Sequence, residues 1–324
     1  PGMVGPVLGP PVGGFITTYL DWRWIFYVNI PVGLVGLWAV RRYIEEVKET
    51  AKVRFDLAGT ALSGLALCCL MFGLETLSRG QIAPRYGAAI LALGAAAALL
   101  YWRHARHHPA PVLDFRLMRV PTFAISVASG SLFRIGFGAM PFLMPMLMQI
   151  GFGVSAAESG VVTFATAAGA VLMKASARPL LRHLGFRRTF IGVGLVSALL
   201  LAACGTFRPS WPMAAIYGVL LACGFISSLQ FTAYNTIAYA DLAPRQMSGA
   251  TSFYATFQQF SLTLGIAAAA AVLSVLVELQ GKALPDLGDF TLAFTLMGAI
   301  AALSVPISAR LPADAGAELS GQRA

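Results

Sequence analysis

The chain has 324 residues, of which 57% are hydrophobic and only 11% are charged, whereas a soluble domain carries about 25% charged residues. This composition excludes a water-soluble globular fold and predicts a protein that spans a membrane, because long apolar runs suit lipid rather than water. The formal net charge of +9 does not indicate a nucleic-acid partner, since the basic residues form no stripe and accompany no recognition module.

Ten apolar runs are long enough to cross a bilayer as helices, which pair their own backbone polar groups in hydrocarbon. The sequence therefore predicts an all-α membrane protein. In chain order the expected spans are Gly2 to Leu20, Ile25 to Tyr43, Phe55 to Leu77, Tyr86 to Trp102, Phe123 to Ile150, Ser159 to Leu181, Thr189 to Phe207, Trp211 to Tyr239, Ser248 to Val277 and Phe290 to Leu311.

The orientation follows from the loop cations, because Lys and Arg near span ends are retained on the cytoplasmic side. Most of the 23 basic residues lie on one set of alternating loops. That set includes the pairs Arg41 and Arg42, Arg103 and Arg106, and Arg187 and Arg188. Both ends of this chain are therefore expected in the cytoplasm.

The first span carries a ladder of small residues, with Gly5, Gly9 and Gly13 at every fourth position. This spacing lets a second helix approach closely, and the prolines between the glycines should bend the helix. A tight helix crossing alone would account for such a repeat. The full string is more specific, because it fits GxxxGPxxGG at Gly5, Gly9, Pro10, Gly13 and Gly14 and is followed by WRWIFYVNIP at positions 22–31.

Together these stretches resemble the antiporter motif and next-helix signature of the drug:proton antiporters of the major facilitator superfamily. The motif belongs to the fifth helix of that family, so the resemblance implies a fragment lacking the first four of fourteen helices, of the EmrB/QacA type. Further similar stretches are Phe55–Gly59, Gly73–Glu75, Pro141–Pro145 and Ser248–Ser252.

The resemblance also implies a domain organisation. Residues 1–47 would form the last two helices of an N-terminal six-helix bundle, 48–119 an inserted helix pair with cytoplasmic loops, 120–311 a C-terminal six-helix bundle, and 312–324 a cytoplasmic tail. The basic segment 177–188 looks like a degenerate copy of the family's cytoplasmic gating loop, without the acidic residue of the best copies. Its candidate gating residues are Arg178, Arg182, Arg187 and Arg188.

Arg134 is the one full charge deep within a predicted span. It lies about 16 Å along its helix, near the centre of a hydrocarbon core of about 30 Å. A cation at that depth should face protein or a watery cavity. Two roles remain open: substrate binding or proton coupling, and a structural contact with freed carbonyls or a carboxylate.

Polar side chains line one face of each of two later spans. Gln230 and Tyr234 share a face of the eighth, and Thr251, Tyr254 and Gln258 follow helical spacing on the ninth. Such stripes could supply the scattered polar groups of a drug cavity with apolar walls. Hydrogen bonds that only join neighbouring helices are the alternative.

The remaining ionisable residues suggest neither a metal site nor an enzyme. Asp56 stands at the N-cap of a helix, while His104, His107 and His108 lie in a basic segment expected to be a cytoplasmic loop. The four cysteines lie in apolar runs without metal-site spacing. We therefore expect no catalytic residue, metal or cofactor.

The function implied by the resemblance is proton-coupled efflux of drugs or other amphipathic molecules by alternating access, most naturally in a bacterial inner membrane. The expected partners are the lipid bilayer, a small-molecule substrate and protons, and some relatives also use a periplasmic adaptor protein. Two alternatives stay open: a metabolite or siderophore carrier of the same fold, and a membrane subunit without transport of its own.

Overall fold

The computed structural model describes residues 4–43, 56–78, 83–312 and 315–316. All regular secondary structure in these ranges is helical, which confirms the predicted fold class. The helices are α1 (Val4–Tyr19), α2 (Trp24–Tyr27), α3 (Asn29–Tyr43), α4 (Leu57–Ser78), α5 (Pro84–His107), α6 (Pro121–Gly138), α7 (Met140–Met146), α8 (Ala156–Arg188), α9 (Gly194–Cys204), α10 (Met213–Ile237), α11 (Met247–Leu279), α12 (Leu287–Ala302) and α13 (Ser304–Ser308).

Nine helical stretches in the described ranges are long and apolar enough to cross a membrane. They correspond to the second through tenth predicted spans, so the chain is a multi-pass membrane protein. The first predicted span corresponds to α1, which has 16 residues. Three predicted features lie outside the described residues: the start of this span at Gly2, the start of the inserted-pair segment at 48–55, and most of the tail at 312–324.

Two helices extend well beyond their predicted ends. Helix α5 continues beyond Trp102 to His107, so His104 and His107 are helical rather than part of a loop. Helix α8 extends through the predicted basic loop, with a single break at Gly185, where φ is 70° and ψ is 163°. Only glycine adopts that conformation readily, which explains why the helix changes direction at this residue.

Local sequence explains where several helices begin. Ser155 and Glu158 form a capping box at the start of α8, in which each side chain accepts the other's backbone N–H. Asp286 caps α12 through the N–H groups of Gly288 and Asp289. The ammonium group of Lys282 and these helix N–H groups hold the pKa of Asp286 at about 2, so this cap is ionised at neutral pH.

Helices α6 to α13 pack into one bundle around a shared core of buried aromatic and aliphatic side chains. Glycines bring its backbones together. A Cβ built on Gly224 of α10 would lie 1.9 Å from the carbonyl oxygen of Thr166 on α8, and one on Gly265 of α11 would lie 2.1 Å from that of Ile135 on α6. These crossings fix how α8 meets α10 and how α6 meets α11, because no side chain fits between them.

Helices α1, α4 and α5 lie outside this bundle. Helices α4 and α5 run antiparallel, since Gly73 faces Leu91 while Gly94 faces Leu70, and α4 packs on α11. Helix α1 packs on α8. No residue of α3 is buried within the described structure.

Candidate functional site

Arg134 lies in the interior of the bundle, as its sequence position predicts, and only 2% of its surface is exposed. Its Nη2 atom donates one hydrogen bond to Oδ1 of Asn235 at 2.8 Å and another to the hydroxyl of Tyr254 at 2.9 Å. Asn235 belongs to α10 and Tyr254 to α11. Arg134, on α6, therefore joins three helices of the bundle.

Aromatic faces complete the surroundings of the guanidinium group. Its central carbon lies 5.0 Å from the ring centre of Tyr254 and 5.7 Å from that of Phe231, within the range of a cation–π contact. Within the described residues, no carboxylate forms an ion pair with Arg134, and its buried Nε has no hydrogen-bond partner. The site therefore holds a positive charge with unused hydrogen-bond donors.

Gln230 and Tyr234 lie in the same bundle and each bonds to a neighbouring segment of it, although the buried Oε1 of Gln230 has no hydrogen-bond partner among the described residues. Nε2 of Gln230 donates to the carbonyl oxygen of Phe190 at 3.3 Å, and the hydroxyl of Tyr234 lies 3.1 Å from that of Ser308. The Tyr234 ring also stacks on Phe190, with centroids 4.5 Å apart. Both side chains are completely buried, so their arrangement favours the helix-joining alternative.

The three residues of the α11 stripe have different surroundings. Tyr254 is buried against Arg134, whereas Thr251 is exposed and donates to the carbonyl of Met247 one turn earlier. Gln258 is half-buried. The structure therefore brings only Tyr254 of this stripe to the central arginine.

Among the described glycines of the α1 motif, which are Gly9, Gly13 and Gly14, one approaches another helix closely. A Cβ on Gly14 would lie 2.7 Å from the carbonyl oxygen of Ala156, at the start of α8, whereas Gly9 and Gly13 have open space beside them. The surroundings of Gly5 and Pro10 lie outside what the structure describes. The described contact of this motif with the bundle is thus at Gly14, and Gly9 and Gly13 on the predicted face do not make it.

The candidate gating residues lie along the last turns of α8. Arg182, Arg187 and Arg188 are exposed, and the side chain of Arg178 is not among those described. They lie on a helix interrupted at Gly185 rather than on an irregular loop.

An open cavity of about 470 Å³ lies between α4, α7 and α11. Its lining is mostly apolar, with Phe142, Met146 and Ile266 among its walls and Glu75 as its one charged residue. Arg134 does not line this cavity.

The structure shows two contacts that the sequence did not predict. The first joins Asn235 to Arg134, although an amide in an apolar helix is a signal visible in the sequence.

The second contact joins Asp56 to His104. Burial raises the pKa of Asp56, but hydrogen bonds from the Gly59 N–H and from His104 outweigh it, and the pKa lies below its usual value.

A multi-pass helical bundle with glycine-mediated crossings and a buried arginine, which pairs with no carboxylate of the described residues, has the features of a membrane transporter. Comparison with known proteins identifies the family. The profile of the Major Facilitator Superfamily matches residues 2–266 and, in a second alignment, residues 129–321. The chain belongs to the Major Facilitator Superfamily, and it is a transporter rather than an enzyme.

Among known proteins, the chain is similar to MdtD, a protein named for multidrug resistance. It is 32% identical over 330 residues to MdtD of Salmonella typhimurium strain LT2, covering 97% of this chain and 67% of that protein. The identity, with the same coverage, is 32% over 326 residues for MdtD of Salmonella heidelberg strain SL476 and of Salmonella typhi.

Proposed function

We propose that this transporter exports drugs or other amphipathic small molecules across a bacterial inner membrane, in exchange for protons. The family and the name of its relatives support the export of drugs. The observation that carries the proposal is Arg134, a buried cation with unused donors, held between three helices of the bundle. A charged group is costly to place in a membrane interior, so an intramembrane cation usually marks a functional site.

In this proposal, two bundles rock about a central site and expose it to each side in turn. Residues 1–47 contribute to one bundle and residues 120–311 form the other, with the inserted pair between them in sequence. Helix α1 contacts the second bundle at Gly14, as expected of a helix at the boundary between moving halves. Both ends of the chain lie in the cytoplasm.

Arg134 takes part in the cycle by changing hydrogen-bond partners. Its two recorded bonds go to neutral side chains, which exchange more readily than a buried ion pair would. A carboxylate or carbonyl of the substrate, or a protonatable group, competes for the free donors. Rearrangement of Asn235 and Tyr254 then transmits binding to α10 and α11.

The test is the substitution Arg134→Ala in the native protein, expressed in cells that lack their own exporters. We expect drug resistance to fall to that of cells without the transporter, while the amount inserted in the membrane stays normal. Arg134→Lys should also fail, because an ammonium group cannot reproduce the planar guanidinium geometry. The matched control is Arg119→Ala, which removes an exposed arginine just before α6.

Normal resistance with Arg134→Ala would reject the role of this residue. If the unmodified protein confers no resistance to any of several compound classes, export of drugs is wrong. Drug-independent proton flux in vesicles would then favour a metabolite or siderophore carrier, and absence of flux would favour a subunit without transport.

A further inference from the structure

Asp56, His104 and His108 form a cluster where α4 begins and α5 ends. Nε2 of His104 lies 2.8 Å from Oδ1 of Asp56, and Nδ1 of His108 lies 3.9 Å from Oδ2. The two histidines are four residues apart, and their rings stack with centroids 5.2 Å apart. One potential metal-ligating atom from each residue lies within 4.8 Å of the others.

The carboxylate of Asp56 has one satisfied and one unsatisfied oxygen. Oδ1 accepts the N–H of Gly59 at 2.8 Å, which caps α4, and also contacts His104. Asp56 is only 6% exposed. Its Oδ2 atom is buried and has no hydrogen-bond partner in the described part of the chain. An unpaired carboxylate oxygen is costly to bury, and a cation would satisfy it.

The position of this oxygen depends on Gly59. A Cβ at position 59 would lie 2.1 Å from Oδ2 of Asp56, so the carboxylate can lie this close to the helix backbone only because residue 59 is glycine. The side chains of His104 and His108 are 27% and 26% exposed. The histidine side of the cluster is therefore open to solvent, from which an ion and a water ligand can reach it.

We propose that Asp56, His104 and His108 bind a divalent transition-metal ion, with Zn²⁺ as the best match. Two imidazole nitrogens and one carboxylate oxygen, with water as a fourth ligand, form a common tetrahedral ligand set for Zn²⁺. Ligand atoms about 2.0–2.2 Å from zinc lie roughly 3.3–3.5 Å from each other. The observed separations are 2.8 and 3.9 Å between histidine and carboxylate atoms and at most 4.8 Å within the cluster, so binding requires the two half-buried histidine rings to rotate.

The bound ion fastens the start of α4 to the end of α5. These helices touch along their length through glycines, and at the ends that carry the cluster Asp56 of one helix start contacts His104 of the other helix. A metal bridge there holds the helix pair as one unit. The site is independent of Arg134 and does not rely on which substrate the transporter carries.

The experiment measures Zn²⁺ binding to the purified native protein, using a competing chromogenic chelator and a purification tag without histidine. Co²⁺ serves as a second probe, because its visible absorption reports tetrahedral coordination. We expect one ion bound per chain. His104→Ala and His108→Ala should each weaken binding by more than the roughly 10- to 100-fold that loss of a second-shell partner costs.

Asp56→Asn separates the metal site from the helix cap. Asparagine still accepts the Gly59 N–H and caps α4 well, but it lacks the charged ligand, so the variant should fold and bind Zn²⁺ weakly. The matched control is His107→Ala, because His107 is exposed and its Nδ1 contacts the backbone of Arg103 instead of the cluster.

Loss of binding in the three cluster variants, with retention in His107→Ala, supports the site. The proposal is overturned if the unmodified protein does not bind Zn²⁺, or if the cluster variants bind it as well as His107→Ala does. The cluster would then be a hydrogen-bonded clamp alone.

Discussion

The hydrogen bonds of Arg134 connect residues that lie far apart in the sequence. Asn235 and Tyr254 follow Arg134 by 101 and 120 positions. Because each partner is neutral, the charge of Arg134 is stabilised by dipoles and ring faces rather than by an opposite charge. Its surroundings can therefore change with the state of the transporter.

Removing one hydroxyl tests this arrangement. Tyr254→Phe keeps the ring beside the guanidinium but deletes the acceptor of one hydrogen bond. Such bonds between membrane helices contribute about 0.6–2 kcal/mol to stability, so we expect a loss of that size and weaker drug resistance. Thermal unfolding in detergent and growth in the presence of drugs measure the two effects.

Tyr217→Phe is the control for that substitution. Tyr217 is half-buried on α10, and its hydroxyl forms no hydrogen bond within the described part of the chain, so loss of this hydroxyl should matter little. Equal effects of the two substitutions would show that the Arg134–Tyr254 bond contributes nothing.

The position of Arg134 was predictable from sequence, but its partners were not. A lone charge in an apolar run is visible without a structure, and helical spacing already selected Tyr254. Asn235 was not predicted as a partner of Arg134, because the contacts of Arg134 depend on how three helices are rotated about their axes. Gln230 and Tyr234 shared the predicted face, yet that face meets Phe190 and Ser308.

At the scale of single helices, spacing of small residues predicts that a close crossing exists but not which glycine makes it. The ladder in α1 selected Gly5, Gly9 and Gly13 for one face, whereas the recorded close approach is at Gly14. A rotation of α1 about its axis decides the difference, and its packing against α8 sets that rotation.

Alanine substitutions at Gly13 and at Gly14, made separately, distinguish a contact through the ladder face from a contact through Gly14. Gly14→Ala places a Cβ 2.7 Å from the backbone oxygen of Ala156, so α1 and α8 must move apart, and we expect transport to fall sharply. Gly13→Ala meets open space and should favour the helix by up to about 1 kcal/mol. Drug resistance at matched protein amounts gives the comparison.

If Gly13→Ala is the more damaging of the two, the close contact that matters for transport involves the ladder face instead of Gly14. Normal transport in both variants would show that the α1–α8 contact is not needed for the cycle.

For the whole molecule, apolar length predicted the spans because lipid forces each crossing segment to pair its own backbone groups. Nine of the ten expected spans are helices of sufficient length in the described part of the chain. How the helices pack together was not predictable in the same way. Lipid is as apolar as leucine, so hydrophobicity does not choose between helix neighbours, and close packing at glycines such as Gly224 and Gly265 does.

The orientation of the whole molecule is a separate prediction, based on the loop cations. We expect a cysteine at Leu284, which is 63% exposed between α11 and α12, to react with a membrane-impermeant maleimide in intact cells. A cysteine at His107, beside Arg103 and Arg106, should react only after the cells are opened, because basic segments stay on the cytoplasmic side.

Both variants are made in a background without Cys68, Cys69, Cys204 and Cys223, and both must react fully in opened cells. Because successive spans alternate in direction, these two sites together fix the direction of every helix from α5 to α12. Reaction of the His107 site in intact cells, with protection of the Leu284 site, would reverse the orientation. It would place the end of α5, with His104 and His108, outside the cytoplasm, where the Asp56 cluster would meet external rather than cytoplasmic metal ions.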